Sequence, residues 1–259
     1  MIYLCILWYL LISSIVFSSG DFTHKDWFFG RKSIVTHANF QPVPDIYATR
    51  PGILLHPYTL AAFIDMAEAA QADGIPLKVV SGYRSFTHQS YIWESIWTGK
   101  RLTDGMNIGT LDPNPKIKAL LKYHAMPGTS RHHWGTEVDL NYLTPKYFEH
   151  GIGLKVYQWL EKNAHLYGFC QVYDATDGRT WYHEENWHWS YMPLSIPIYA
   201  HYINIVKSSD INGFLGSDHA KDMNVISQYV DGISPDCIAS FSPPQKLVDL
   251  KTLLVQKDI

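Results

Sequence analysis

Ser130-Arg131-His132-His133-Trp134-Gly135-Thr136-Glu137-Val138-Asp139 runs from a turn into a strand. Pro127-Gly128-Thr129-Ser130 supplies the turn chemistry. From Thr136 to Tyr142 apolar and polar residues alternate, with Val138, Leu140 and Tyr142 in step around Asp139. A carboxylate set into such a half-buried strand needs a compensating partner. The pattern leaves open whether that partner is a metal ion or an arginine.

A second cluster, Glu184-Glu185-Asn186-Trp187-His188-Trp189-Ser190-Tyr191, ends a stretch that also reads as strand. Phe169–Tyr173 and Trp181–Tyr191 are expected to pair around an Asp177-Gly178 turn. Upstream, Leu77–Val80 is a short strand running into Ser81-Gly82-Tyr83-Arg84. Helices are expected from His56-Pro57 to Asp73-Gly74, with Leu60, Phe63, Ile64, Met66 and Ala67 at helical spacing. Others are expected from Ser85 to Trp97, from Lys116 to Tyr123, and from Gly153 to Tyr167 with Leu154, Tyr157, Leu160 and Ala164 on one face. A further helix ends the stretch Pro193–Val206. Short strands mixed irregularly with helices give an α+β fold with a small antiparallel sheet.

The 259 residues suffice for one sizeable domain. A net charge of −3 without a long basic run argues against nucleic acid as a partner. Met1 to Phe17 is almost wholly apolar and is followed by Ser18-Ser19-Gly20. This fits a secretory signal, although no Lys or Arg precedes the apolar core; an uncleaved anchor and a buried helix are the other readings. The membrane is expected to be met only through this segment. Outside it lie Cys170 and Cys237, which pair in an oxidising compartment or stay as two buried thiols. Beyond Lys207 the composition shifts to Ser, Asp and Gly, so 208–259 reads as an appended tail with a short helix near Val225–Val230.

The two clusters together offer imidazoles and carboxylates, which zinc accepts as ligands. A hydrolytic zinc site needs three protein ligands, an open position, and a carboxylate that handles a proton without binding the metal. His132, Asp139 and His188 meet the first need, and Glu185 the last. The helical zinc motif His-Glu-x-x-His is absent. A His-rich stretch also has an ordinary reading as surface or satisfied core.

Ser-x-His-x-x-Gly-x-x-x-Asp at 130–139, Glu-x-Trp-His at 185–188 and Ser-Gly-Tyr-Arg-Ser at 81–85 occur in that family's order in VanY-type D-alanyl-D-alanine carboxypeptidases, which this chain resembles over residues 50 to 195. The resemblance implies the fold of the wider lysostaphin, D-Ala-D-Ala-peptidase and Hedgehog-like group. It implies Zn2+ on His132, Asp139 and His188, with Glu185 as general base and acid. It implies that Arg84 holds the polarised carbonyl or the substrate carboxylate, and that Ser130 and Gln89 line the cleft. Arg84 also reads as a structural ion pair, and Ser130 as a turn cap. The domain expectation is a signal or anchor at 1–20, a zinc peptidase domain at 21–207 and a tail at 208–259. The expected substrate is a peptidoglycan peptide outside the cytoplasm, cut by a D,D-carboxypeptidase. An endopeptidase, an L,D-carboxypeptidase and a non-catalytic zinc module are the alternatives. Two positions depart from the family pattern: Asn186 stands where proline is commoner, and Ser190 where arginine often stands, so a changed substrate wall is expected there.

Overall fold

The computed structural model describes residues 25–31, 40–175 and 182–241. The apolar N-terminal run and the Asp177-Gly178 turn lie outside the described residues. In chain order the elements are α1 (Lys25–Phe28), β1 (Gln41–Pro42), β2 (Leu54–Leu55), α2 (Pro57–Ala72), β3 (Val79–Ser81), α3 (Phe86–Trp97), α4 (Pro113–Leu120), β4 (Glu137–Leu140), α5 (Pro145–Phe148), α6 (Gly151–Asn163), β5 (Phe169–Cys170), β6 (His188–Tyr191), α7 (Met192–Ile205) and α8 (Pro235–Phe241). β3, β4, β6 and β5 form one antiparallel sheet in that order, and β1 pairs with β2. The class is α+β, as the sequence implies. No helix among the described residues is long and apolar enough to cross a membrane.

Local chemistry sets the ends of the two long helices beside the sheet. α2 starts where His56 Nδ1 accepts the Tyr58 amide and Pro57, lacking an N–H, takes the first helical position. It stops at Asp73, before Gly74. Its buried face is Leu60, Phe63, Met66, Ala67 and Ala70, close to the expected stripe. α3 is capped by Ser85, whose Oγ accepts the His88 amide.

Other elements differ from expectation for identifiable reasons. α4 begins at Pro113, earlier than the expected Lys116, because proline suits a first turn as well as it breaks an interior. β4 is shorter than 136–142 because Asn141 adopts a left-handed φ of 61°. Its side chain accepts from the Lys78 amide and donates to Pro76 O. The stretch before His188 is irregular, and pairing with β5 is confined to Phe169↔Tyr191 and Cys170↔Ser190. α6 buries Gly153, Val156, Trp159 and Leu160, so its inner face is turned from the expected one; Leu154 and Tyr157 are only half-buried. A 3-10 turn at Ala164–Tyr167 completes it.

β4 and β6 are buried at every position. Their packing continues into α7, whose Tyr202 meets Phe28 and Phe29 edge-on. The described residues beyond Lys207 pack against this body. Phe214 lies edge-on to Trp93, Leu215 O accepts from Trp93 Nε1, Tyr229 packs on Tyr182, and Cys237 is bonded to Cys170. The paired reading of the two cysteines holds in this structure.

A cross-link over a sequence separation of 67 removes much freedom from the unfolded chain. Replacing both Cys170 and Cys237 with Ser is therefore expected to lower unfolding free energy by roughly 2–4 kcal/mol. Denaturant titration with and without reductant measures it. An unchanged midpoint would mean that the bond adds nothing to the cohesion of the body.

Candidate active site

The 3-10 turn Arg131–Trp134 carries His132 and ends at Gly135, which has a φ of 69°. A Cβ there would sit 2.2 Å from the Phe40 ring, so both conformation and space require glycine. The chain then enters β4, and the register places Asp139 opposite His188 on β6 and beside Ser81 on β3. Residues from three distant segments thus meet at the middle of the sheet.

His132, Asp139 and His188 are all buried, and one ligand atom from each lies within 4.8 Å of the others. The two imidazoles are perpendicular, with centroids 4.9 Å apart. His132 Nδ1 is 2.7 Å from Gly82 O; a carbonyl only accepts, so that nitrogen carries the hydrogen. Nε2 is left 3.3 Å from Asp139 Oδ2. His188 Nδ1 faces Asp139 Oδ1 at 3.1 Å, and its Nε2 faces Glu137 Oε2 at 2.9 Å. Asp139 Oδ1 is close to His188 but lacks a hydrogen bond of good geometry. Arg84 Nη2 donates to Asp139 Oδ2 at 2.6 Å, its Nε donates to Ser81 Oγ, and Nη1 stands 3.5 Å from Gln89 Oε1.

The electrostatics follow from this crowding. Burial alone would raise the Asp139 carboxyl, but His132 and Arg84 outweigh it and hold it well below its usual range. Burial would lower His188, yet Asp139 and Glu137 on its two nitrogens push it up to about 10. His132 is lowered by burial and by Arg84. Glu185 is raised to about 8, mainly by burial; its Oε2 lies 3.4 Å from His188 Nδ1. Glu137 is held at about 2 because Arg131, then His188, overcome the cost of burial.

The donor set suits a divalent cation. Two imidazole nitrogens and an under-bonded carboxylate oxygen face one another, and the positive charge they need comes from Arg84 and a protonated His188. A metal ion supplies the same compensation by displacing that proton.

These groups open onto a cavity of about 680 Å³. Ser130, Arg84 and Glu185 line it, as do Arg50, Arg101 and Tyr123. Gln89 does not reach the wall. It is buried behind Arg84 and donates to Ala125 O. His133 has both nitrogens committed, Nδ1 to Arg84 O and Nε2 to the Gly128 amide. Glu184 turns to Tyr157 and Asn186. Ser190 is fully buried among Glu137, Arg131 and Ser195 and forms no part of the cavity wall, contrary to the expectation from its place in the motif. Sequence reasoning missed Glu137. Its signal was present, since positions 137 and 139 share one face of a strand.

Residues 52–194 match the family model of VanY, D-alanyl-D-alanine carboxypeptidase. The chain is 33% identical over 132 residues to a D-alanyl-D-alanine carboxypeptidase of Enterococcus faecalis, covering 50% of this chain and 45% of that one. It thus spans less than half the length of that relative. Among solved structures, a vancomycin-resistance D,D-pentapeptidase VanY variant in complex with Zn(II) is 28% identical, covering 58% of this chain and 83% of that chain, with a TM-score of 0.45. VanYB in complex with D-alanine-D-alanine is 27% identical, covering 64% and 94%, with a TM-score of 0.42. Since the VanY model accounts for more than half of its residues, the chain belongs to the VanY family of D-alanyl-D-alanine carboxypeptidases.

Proposed function

We propose that this chain is a zinc-dependent carboxypeptidase that removes the terminal D-Ala from peptidoglycan stem peptides ending in D-Ala-D-Ala. The carrying observation is the buried His132, Asp139 and His188 group, with Glu185 and Arg84 beside it on one cavity. Membership of the family supports the reading. His132 through Nε2, His188 through Nδ1 and Asp139 would hold the ion. Zinc so held would acidify water to a pKa of about 7 and polarise a carbonyl oxygen.

The chain's own groups supply the rest. Glu185, kept from bulk water, ionises when positive charge is fixed beside it. It then takes a proton from the attacking water and hands it to the leaving amine nitrogen. Arg84 presents a planar, permanently charged fork to the terminal carboxylate or to the developing oxyanion. Arg50 and Arg101 also line the cavity, where they add positive charge opposite the acids Asp104, Asp139 and Glu185. Action outside the cytoplasm is part of the proposal. The Cys170–Cys237 bond supports it, because such bonds persist in oxidising compartments.

Zinc is expected at one equivalent per chain, and replacing His132, Asp139 or His188 with Ala should empty the site by elemental analysis. Full retention in all three variants would refute the ligand set. His133→Ala should cost stability and keep the metal. Without metal, His188 retains its extra proton up to about pH 10, so zinc uptake at neutral pH should release protons and weaken as pH falls. Calorimetry in two buffers of different ionisation enthalpy reads this directly.

Glu185→Ala should keep fold and zinc and lose about 10²–10⁴-fold in turnover. Activity within a few-fold of the parent would move the proton-handling role elsewhere.

A pentapeptide ending in D-Ala-D-Ala should lose D-Ala, and the same peptide amidated at its C-terminus should be cut poorly. Equal cleavage of the two, or a cut at an internal bond, would point to an endopeptidase.

A further inference from the structure

We infer that Glu137, braced by Arg131, is a positioning residue that dictates which ring nitrogen His188 presents to the metal. The inference rests on the zinc reading above. An imidazole has two nitrogens, and the partner of one decides the role of the other. For His132 that partner is the backbone oxygen of Gly82. For His188 it is a full negative charge: Glu137 Oε2 lies 2.9 Å from Nε2. An ionised carboxylate only accepts, so Nε2 must carry hydrogen, and Nδ1 is the nitrogen left for a metal ion.

Glu137 has no freedom to do otherwise. Its other oxygen, Oε1, accepts from Ser190 Oγ at 2.7 Å and from Thr136 Oγ1 at 2.9 Å. Arg131 Nε stands 3.3 Å from the same oxygen. Arg131 is itself fixed, with its guanidinium 4.8 Å over the Trp134 ring and Nη2 donating to Ser190 Oγ. Glu137 and Ser190 are completely buried and Arg131 is 2% exposed, so no water competes for these bonds.

The geometry comes from the sheet. Glu137 and Asp139 stand two apart on β4 and face the same way, so one strand grips both nitrogens of a histidine on its neighbour. The arginine that answers this carboxylate comes from position 131, and the serine between them, Ser190, accepts from that arginine.

The test uses the full chain loaded with zinc. Glu137→Gln keeps the shape and removes the charge. Glu137→Ala combined with Arg131→Met removes both charges, so no buried ion is orphaned if the first variant folds badly. Zinc affinity is measured by chelator competition, the His188 ring by ¹⁵N NMR, and folding by thermal melts. The expected result is an affinity about 10–100-fold weaker in both variants, with the single Nε2-protonated form of His188 lost. A merely structural pair would lower the melting temperature and leave affinity and ring signals alone; that outcome overturns the inference. If the parent chain takes up no zinc, the zinc reading falls first, and the inference falls with it.

Discussion

The antiparallel pairing of β4 with β6 is the constraint on which the rest depends. Its register sets Asp139 against His188 and Glu137 against Ser190. Side chains alternate across a strand, so a slip of one residue would turn the acids away from the histidine and push Val138 into their place. The same slip would move Val138 and Leu140 out of the core, where both are fully buried. Hydrophobic burial therefore enforces the alignment that the chemistry needs, and neither can drift without the other.

That alignment concentrates charge where water cannot screen it. Asp139, Glu137, Glu185, Arg131 and both site histidines are all buried. Unpaired, each would be costly; they stand instead in two adjoining groups of opposite charges. One group, around Glu137, is closed and fully internal. The other, around Asp139, opens on the cavity. The division separates a rigid support from a reactive surface within a few residues of one strand.

Much of this was legible in the chain because it is written locally. His56-Pro57 and Ser85 are capping chemistry, and the helices they start lie where the spacing places them. The convergence of 81–85, 130–139 and 185–188 was legible as a resemblance, since three ordered motifs constrain one another. What escaped was set by contacts between distant residues. The turned face of α6 is set by what packs against it: Gly153, Val156, Trp159 and Leu160 lie inward, and Leu154 and Tyr157 only partly so. The early stop of β4 depends on Asn141 finding Lys78 and Pro76. Ser190 is read as cleft from its motif and lies inside because its partners come from positions 131 and 137. Gln89 follows the same rule, reaching Arg84 from behind.

The Cys170–Cys237 bond also bears on the order in which the molecule is assembled. Tyr229 packs on Tyr182, which stacks on Tyr173, and Tyr173 lies 4.8 Å from His188. The aromatic backing of one wall thus runs from the centre of the domain out to a segment that precedes Cys237. A chain made from its N-terminus exposes every metal-facing residue before that cysteine exists. The segment that carries Tyr229 is made after all of them, and the bond that ties it to Cys170 forms where thiols are oxidised.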